Sequence, residues 1–192
     1  WHQAGGEKAR LVVISTASGY ADDADAEARF LGPWRKDQPR AQITLLHTRD
    51  RAAADQAEFS APLRSATAVW ISGGDQRRLW AAYGGTRVER ELLKVVARGG
   101  IVAGTSAGAA IQSRTMITGG KGRRVELGQG FDLLPNAVVD QHFGERKRRS
   151  RLEAALAKHE DRFGLGVDEG TGAWIHLQKG KPWVQVVGRG EV

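Results

Sequence analysis

The chain has 192 residues, carries a formal net charge of +7 and contains no cysteine. With 41% hydrophobic and 27% charged residues, it is predicted to form one globular domain with its own core, and wholesale disorder is excluded. The composition also excludes disulfide scaffolds and thiol nucleophiles, and no apolar run reaches the length of about 18 residues that a membrane-spanning helix requires.

Apolar runs alternate with helical patterns over the first part of the chain. Strands are predicted at residues 9–16, 42–47, 67–72 and 101–105. Helices are predicted at residues 22–31, 51–63, 76–83, 88–97 and 107–114. This alternation predicts an α/β fold, a mostly parallel sheet with helices on both faces.

The chain changes character after Thr115. A glycine-rich stretch at 119–130, which carries the basic cluster KGRR, is predicted to be a loop. The remaining predictions are a strand at 137–140, a helix at 145–159 and strands at 164–167, 173–178 and 183–187. No internal repeat or linker interrupts the sequence, which favours a single domain over residues 1–192.

A serine lies where the fourth predicted strand gives way to a helix, within IVAGTSAGAA. The pattern Gly104-x-Ser106-x-Gly108 at such a junction is typical of a nucleophilic serine on a sharp turn, where only small neighbours fit. The start of a helix also directs backbone N–H groups toward a developing oxyanion. The competing interpretation is a serine that only caps the helix.

Two of the five histidines are candidates for the general base that a nucleophilic serine needs. His142 follows a short predicted strand, where a parallel sheet places its functional residues. His176 lies within a predicted strand, and its alternation could direct it to either face.

Two triads can be written with Ser106. One uses His142 with Asp168 or Glu169. The other uses His176 with Asp140 or Asp168, in the chain order of the α/β-hydrolases. Periodicity does not decide between them, but the first is favoured because its base and its acids both follow predicted strands.

A second glycine-containing loop, residues 72–76 (SGGDQ), also joins a predicted strand to a helix. Its glycines permit a close approach of backbone N–H groups to a ligand. The loop could therefore supply a second oxyanion donor beside the N–H of Ala107. The competing interpretation is a simple turn.

Basic residues are concentrated at the start of the helix predicted at 145–159, in ERKRRSRL. Arg148 and Arg151 lie beside the apolar stripe to which Leu152 belongs. Their guanidinium groups could form bidentate pairs with substrate carboxylates, whereas the same helical spacing directs Arg146 outward. The competing interpretation is a solvated basic face.

Five segments occur in order between Ala9 and Gly172: ARLVVISTAS, ISGGDQRRL, GTSAGAAI, LLPNAVVDQHFGERKRRSRL and GLGVDEGTG. Together they resemble serine peptidase family S51, which shares the GTSAGA motif. The DQHF segment with its spaced arginines is more similar to the cyanophycinases of that family than to its aspartyl dipeptidases. The resemblance implies a flavodoxin-like fold, similar to the class I glutamine amidotransferases, and no metal or cofactor.

The resemblance also implies roles for particular residues. The nucleophile, the general base and its orienting acid fall on Ser106, His142 and Glu169, with Asp168 as the less favoured acid. The oxyanion N–H donors are Gly74 and Ala107. The positions where the family binds an aspartyl-arginine substrate are Gln76, Asp140, Gln141, Arg146, Arg148 and Arg151.

Cyanophycinases cleave the poly-aspartate backbone of cyanophycin and release β-Asp-Arg dipeptides. The resemblance therefore implies cyanophycin or a β-aspartyl peptide as substrate, an acyl-enzyme mechanism, and members that often form homodimers. The alternatives are an aspartyl or isoaspartyl dipeptidase of the same family, and a catalytically silent member that binds anions or nucleic acid. No zinc-finger, RRM or basic-zipper pattern favours nucleic acid. An α/β-hydrolase esterase would instead require His176.

The sequence starts with WHQAGGEKAR, where the family has an earlier strand and a GGGE-type loop. We therefore expect that strand to be absent, the chain to be shortened at both ends and a sheet edge to be exposed. The expected location is the cytoplasm. The printed sequence shows no signal-peptide pattern, and because its natural start is expected to be missing, this does not exclude secretion.

Overall fold

A parallel sheet forms the centre of the computed structural model, which describes residues 1–159, 161–177 and 183–192. Its strands are β1 Arg10–Ile14, β2 Gln42–Leu46, β3 Ala68–Ile71 and β4 Ile101–Gly104. They lie in the order β2-β1-β3-β4, and every neighbouring pair is parallel. All four were predicted, because a strand covered on both faces has a continuous apolar run. Two 3-10 turns precede β1, at His2–Ala4 and Gly6–Lys8.

Helices connect these strands and cover the sheet. They are α1 Ala26–Asp37, α2 Arg51–Ala54, α3 Ala61–Ser65, α4 Gln76–Tyr83, α5 Arg87–Ala97 and α6 Ala107–Ala110. The prediction of one helix over 51–63 is wrong, since α2 and α3 are separate. Between them the Ser60 hydroxyl donates to the carbonyls of Gln56 and Ala57, and such side-chain bonds compete with helix propagation.

Helix α1 continues past the proline that was expected to lie beyond its end. Pro33 is inside the helix and removes one backbone hydrogen bond, the one to the carbonyl of Arg29. Pro33 and Arg29 are both exposed, so water can satisfy this carbonyl. Proline therefore does not end the helix at this position.

Two apolar layers flank the sheet. Val12 and Ile14 of β1 pack in a cluster with Leu79 of α4 and Leu92 of α5. Leu11 and Val13 face the other way, in a cluster with α1. This alternation along one strand follows from the two-residue repeat of side chains, and it confirms helices on both faces.

Three further strand pairs complete the fold. They are β5 Thr115–Lys121 with β6 Arg124–Gln129, β7 Ala137–Gln141 with β8 Phe163–Val167, and β9 Thr171–His176 with β10 Trp183–Gly188. The β7–β8 pair is parallel, and the other two are antiparallel. The predicted strand at 173–178 ends at His176, and its last residue, Gln178, lies outside the described residues.

The loop predicted at 119–130 is wrong, because this stretch belongs to the hairpin of β5 and β6. Lys121 pairs with Arg124, so only Gly122 and Arg123 form the turn. A two-residue hairpin turn needs a positive φ, and Gly122 supplies it with a φ of 58°. The glycine here is a turn residue between strands rather than the sign of a long loop.

The helix predicted at 145–159 is also shorter in the structure, where α7 covers Arg149–Leu156. Residues 145–147 form turns, and Arg148 is the N-cap of α7. Lys147 has a φ of 50°, which interrupts a helix. The Arg148 backbone N–H donates to the carbonyl of Phe143 at 2.9 Å.

No helix in residues 1–159, 161–177 and 183–192 is both long and apolar enough to cross a membrane. The same residues contain no group of three or more His, Asp or Glu side chains arranged to hold a metal ion.

A buried tyrosine joins α4 to the ends of two strands. The Tyr83 hydroxyl lies 2.6 Å from Thr16 Oγ1 and accepts a bond of 3.2 Å from the Thr48 backbone N–H. Thr16 and Thr48 follow β1 and β2, so this hydroxyl fixes the carboxyl ends of both strands. Burial raises the pKa of Tyr83 to about 12, because the phenolate would lose its hydration.

We expect Tyr83 to make the stability of the fold fall at high pH. The unfolded residue has a pKa of about 10 and the folded one a pKa of about 12. Its contribution is therefore complete below pH 10 and is lost as the pH rises toward 12. Urea denaturation from about pH 9 to 11.5 should give a steeper decline for the wild type than for Tyr83→Phe. If the stability of the wild type and of Tyr83→Phe declined equally with pH, the raised pKa of Tyr83 would be contradicted.

Candidate active site

The predicted nucleophile lies on a strained turn between β4 and α6. Ser106 has a φ of 51° and a ψ of −110°, outside the regions that residues with side chains normally occupy. A Cβ on Gly104 would overlap the carbonyl of Gly108, and a Cβ on Gly108 would overlap the carbonyl of Ile71 in β3. The two glycines are therefore required because α6 packs closely on β3 and β4.

His142 contacts this serine from the end of β7. Its Nε2 lies 3.2 Å from Ser106 Oγ, and its Nδ1 lies 2.7 Å from Glu169 Oε1. Glu169 belongs to the turn between β8 and β9, so all three residues follow parallel strands. With its proton on Nδ1, the ring donates to Glu169 and accepts from the serine hydroxyl, which is the arrangement a general base requires.

The two adjacent acids have different partners. Asp168 accepts from the backbone N–H groups of Gly144 at 2.8 Å and Glu191 at 3.1 Å. It thereby fastens the loop after β7 to the segment after β10. Glu169 instead bonds to the ring of His142.

His176 lies in a different setting. Its ring stacks on Trp183 of β10, with centroids 3.7 Å apart and planes inclined by 9°. Its Nε2 is buried and has no hydrogen-bond partner within the described ranges. The structure pairs Ser106 with His142, and the alternative triad through His176 is not assembled.

Two loops that carry the predicted oxyanion donors meet at the serine. A Cβ on Gly73 would lie only 3.4 Å from Ser106 Cβ. The next residue, Gly74, has a φ of 140°, and a Cβ there would overlap the carbonyl of Ala17. The other predicted donor, Ala107, is the first residue of α6. Glycine is thus required at 74 by both its conformation and its close contact.

A buried carboxylate holds two of the arginines predicted to bind substrate. The Asp140 side chain is 1% exposed, and Arg151 binds both of its oxygens, with Nε 2.9 Å from Oδ2. Arg148 Nη1 lies 3.4 Å from the same carboxylate and also donates to the backbone and side-chain oxygens of Gln141. Burial, and then the neighbouring Arg151 cation, lower the pKa of Arg148. The three charged groups together carry a net positive charge.

Two other predicted substrate-binding residues are less enclosed. Gln76 Nε2 donates to the Ile117 carbonyl at 2.7 Å, which ties α4 to β5. Arg146 is exposed, as the helical spacing predicted, although residues 145–148 are not helical. Its backbone N–H donates to the carbonyl of His142 at 3.2 Å.

The sequence analysis did not select one further arginine at this edge of the sheet. Arg49 follows β2 and pairs with Asp22 in the loop after β1. Its position after a strand was the one available signal, and that signal is shared by many loop residues.

Comparison with known proteins identifies the family. A sequence model described as peptidase family S51 matches residues 2–182. The chain belongs to peptidase family S51. It is 35% identical to a cyanophycinase from Nostoc sp., over 99% of this chain and 64% of the relative. It is 32% identical to a cyanophycinase from Geminocystis herdmanii, over 100% of this chain and 71% of the relative.

This S51 chain is shorter than these relatives, since it spans 64% of the Nostoc protein. A solved peptidase from an acI-B1 actinobacterium is similar to it with a TM-score of 0.72 and 25% identity, over 93% of this chain and 74% of that one. A putative peptidase E protein from Listeria monocytogenes shares the fold with a TM-score of 0.64 and 16% identity, over 97% of this chain and 91% of that one. These likenesses confirm the predicted flavodoxin-like α/β fold.

We expect Asp140→Asn to destabilise this S51 protein by about 3–5 kcal/mol, because it leaves two largely buried cations without their counter-ion. Glu153→Gln is the matched control. It removes a carboxylate 3.0 Å from Arg149, where both side chains are more than half exposed, and such pairs contribute little. Chemical denaturation measures the free energy of unfolding of both variants. An equal loss in the two would contradict the stabilising role of the buried Asp140 carboxylate.

Proposed function

We propose that this S51 chain is a serine-type peptidase that hydrolyses the backbone of cyanophycin through an acyl-enzyme and releases β-Asp-Arg. In this proposal Ser106 is the nucleophile, His142 the general base and Glu169 its orienting acid. The supporting observation is the continuous series of contacts from Ser106 Oγ to His142 at 3.2 Å and from His142 to Glu169 at 2.7 Å. A hydroxyl nucleophile needs such a series at neutral pH.

The reaction begins when Ser106 Oγ attacks the substrate carbonyl and His142 Nε2 takes its proton. The N–H groups of Gly74 and Ala107 donate to the oxyanion that forms. His142 then gives the proton to the leaving amine, and an ester remains on the serine. Water, deprotonated by His142, hydrolyses this ester. Glu169 stabilises the imidazolium in both steps.

The charges beside the triad support a substrate that carries carboxylates. In the described part of the chain, Arg148 donates through Nη1, so its Nε and Nη2 hydrogens are available to a ligand. Exposed Arg146 adds a second cation. A guanidinium with free N–H groups binds a carboxylate more strongly than a neutral donor does.

Asp140 takes a different part in this proposal from the direct substrate contact that the resemblance implied. Its carboxylate is buried and bonded to Arg151 and Arg148. We therefore assign it to holding these arginines. Gln141 accepts from Arg148 through its side-chain and backbone oxygens and is assigned to the same task.

The relatives support the substrate class. The proteins named cyanophycinase are 32% identical to this chain in Geminocystis herdmanii and 37% identical in Synechococcus elongatus. Their alignments cover nearly this whole chain, including every residue assigned a role above.

The choice of acid is tested by comparing Glu169→Gln with Asp168→Asn. We expect Glu169→Gln to lower kcat by about 100- to 10,000-fold, because His142 loses the group that orients it and stabilises its charge. Asp168→Asn disturbs bonds to two backbone N–H groups, so it should lower the melting temperature and affect kcat much less. If Asp168→Asn lowered kcat more than Glu169→Gln did, the assignment of Glu169 as the orienting acid would be overturned.

The substrate is tested with purified cyanophycin. Wild type should release β-Asp-Arg, whereas Ser106→Ala and His142→Ala should not, with circular dichroism showing that each variant is folded. Release by Ser106→Ala at the wild-type rate would contradict the serine mechanism.

The alternative functions are distinguished by testing the wild type with dipeptides and with DNA as well. A folded wild type that leaves cyanophycin intact and cleaves an aspartyl or isoaspartyl dipeptide would be a dipeptidase. One that cleaves none of these but binds DNA in a strongly salt-dependent manner would be a silent, polyanion-binding member.

A further inference from the structure

The loop after β1, residues 15–25, supports the glycine loop, residues 72–75. Ser72 N–H donates to the Ile14 carbonyl, and Asp75 N–H donates to the Ala17 carbonyl, both at 2.9 Å. A Cβ on Gly74 would overlap that same Ala17 carbonyl. The direction of the Gly74 N–H therefore depends on where the Ala17 peptide lies.

Arg49 binds the backbone on both sides of Ala17. Its Nη1 donates to the Thr16 carbonyl, and its Nη2 donates to the Ser18 carbonyl at 2.8 Å. The same guanidinium binds Asp22 Oδ2, with Nε at 3.1 Å and Nη2 at 3.0 Å. Because a guanidinium is planar and its donors have fixed directions, these bonds define the path of the loop around Ala17.

A second set of bonds fixes the partner of Arg49. Asp22 Oδ1 lies 2.7 Å from His47 Nε2, and His47 Nδ1 lies 2.9 Å from Thr16 Oγ1. Thr16 in turn contacts the buried hydroxyl of Tyr83 at 2.6 Å. The bonds from His47 and then from Arg49 lower the pKa of Asp22, so it is an anion at neutral pH. The loop is thus tied to β2 and to α4.

We propose that Arg49 is a positioning residue for the oxyanion donor at Gly74, acting through the Ala17 peptide. The inference rests on the proposed function, in which the Gly74 N–H stabilises the oxyanion. That hydrogen bond becomes strongest in the transition state. Displacement of Gly74 should therefore lower kcat and leave the KM for substrate nearly unchanged.

Arg98 provides a matched control for the loss of Arg49. Its Nη2 donates to the carbonyls of Leu63 at 2.6 Å and Ala66 at 2.8 Å. Both carbonyls precede β3 and lie at the amino end of the sheet, whereas Ser106 lies at its carboxyl end. Replacing either arginine by glutamine removes bonds to two backbone carbonyls, but only Arg49 supports the glycine loop.

Labelling with a fluorophosphonate tests the proposal without knowledge of the peptide substrate. The serine oxygen forms a bond to phosphorus, fluoride leaves, the hydroxyl proton passes to His142, and the phosphoryl oxygen occupies the oxyanion site. We expect Arg49→Gln to lower the labelling rate constant by about 10- to 100-fold. Arg98→Gln should stay within about twofold of wild type, and Ser106→Ala should not be labelled.

Arg49→Lys keeps the positive charge but lacks the donor geometry needed to bind both carbonyls. It should also be labelled slowly, and it tests the proposal if Arg49→Gln does not fold. Melting temperatures show whether the Arg49 and Arg98 variants lose similar stability. On a cleaved peptide, the Arg49 variants should show a lower kcat and a KM within about twofold of wild type.

The outcomes separate this inference from the proposed function. If the wild type is not labelled, the proposed nucleophile is wrong and the role of Arg49 falls with it. If the wild type is labelled but the Arg49 and Arg98 variants are slowed equally, or neither is slowed, only the role of Arg49 is overturned. A raised KM with an unchanged kcat would overturn it as well.

Discussion

The close contact between helix α6 and the ends of β3 and β4 determines the position and the backbone conformation of Ser106, the proposed nucleophile. Gly108 approaches the Ile71 carbonyl, and Gly104 approaches Gly108, so closely that neither position has room for a Cβ. The intervening turn holds Ser106 at a φ of 51° and directs its hydroxyl to His142. Such a strained conformation persists because the packing around it permits no other.

Charged groups, rather than apolar packing, organise the surroundings of this turn. Asp140 fixes Arg151 and Arg148 on one side of the serine, and Arg49 fixes the loop after β1 on the other. The Asp140 carboxylate is buried with both arginines, whereas the Asp22 partner of Arg49 is largely exposed. In both places a guanidinium with several fixed donors holds backbone or carboxylate oxygens, which suits a site whose parts come from separate loops.

The central sheet was predictable because the information for it is local. Each of its four strands is a short apolar run, and Gly-Gly pairs or helical patterns separate them. The hairpin of β5 and β6 was missed because the glycines and cations of GGKGRR are typical of loops. The turns at 145–147 were missed because their loop is held by residues distant in sequence. Gly144 N–H donates to the Asp168 side chain, and the Glu145 side chain accepts from Glu169 N–H.

The sequence reduced the number of candidate catalytic residues, but it did not identify the complete set. The GxSxG spacing selected Ser106, and the positions after strands selected the candidate bases and acids. Periodicity left His142 and His176 as alternatives, and nothing local distinguishes two adjacent acids. Their partners decide the geometry: Glu169 bonds to His142, while Asp168 bonds to Gly144 and Glu191. Those contacts connect residues far apart in the chain.

The backbone angle at Ser106 also restricts how this site can change during evolution. Threonine carries the same hydroxyl, but its branched Cβ is poorly tolerated at a φ of 51°. Cysteine is unbranched and about as large as serine, and its thiolate is a stronger nucleophile. If Ser106 is the nucleophile, as proposed, a lineage could replace it with cysteine and become a thiol enzyme, whereas the conformation of this turn disfavours replacement with threonine.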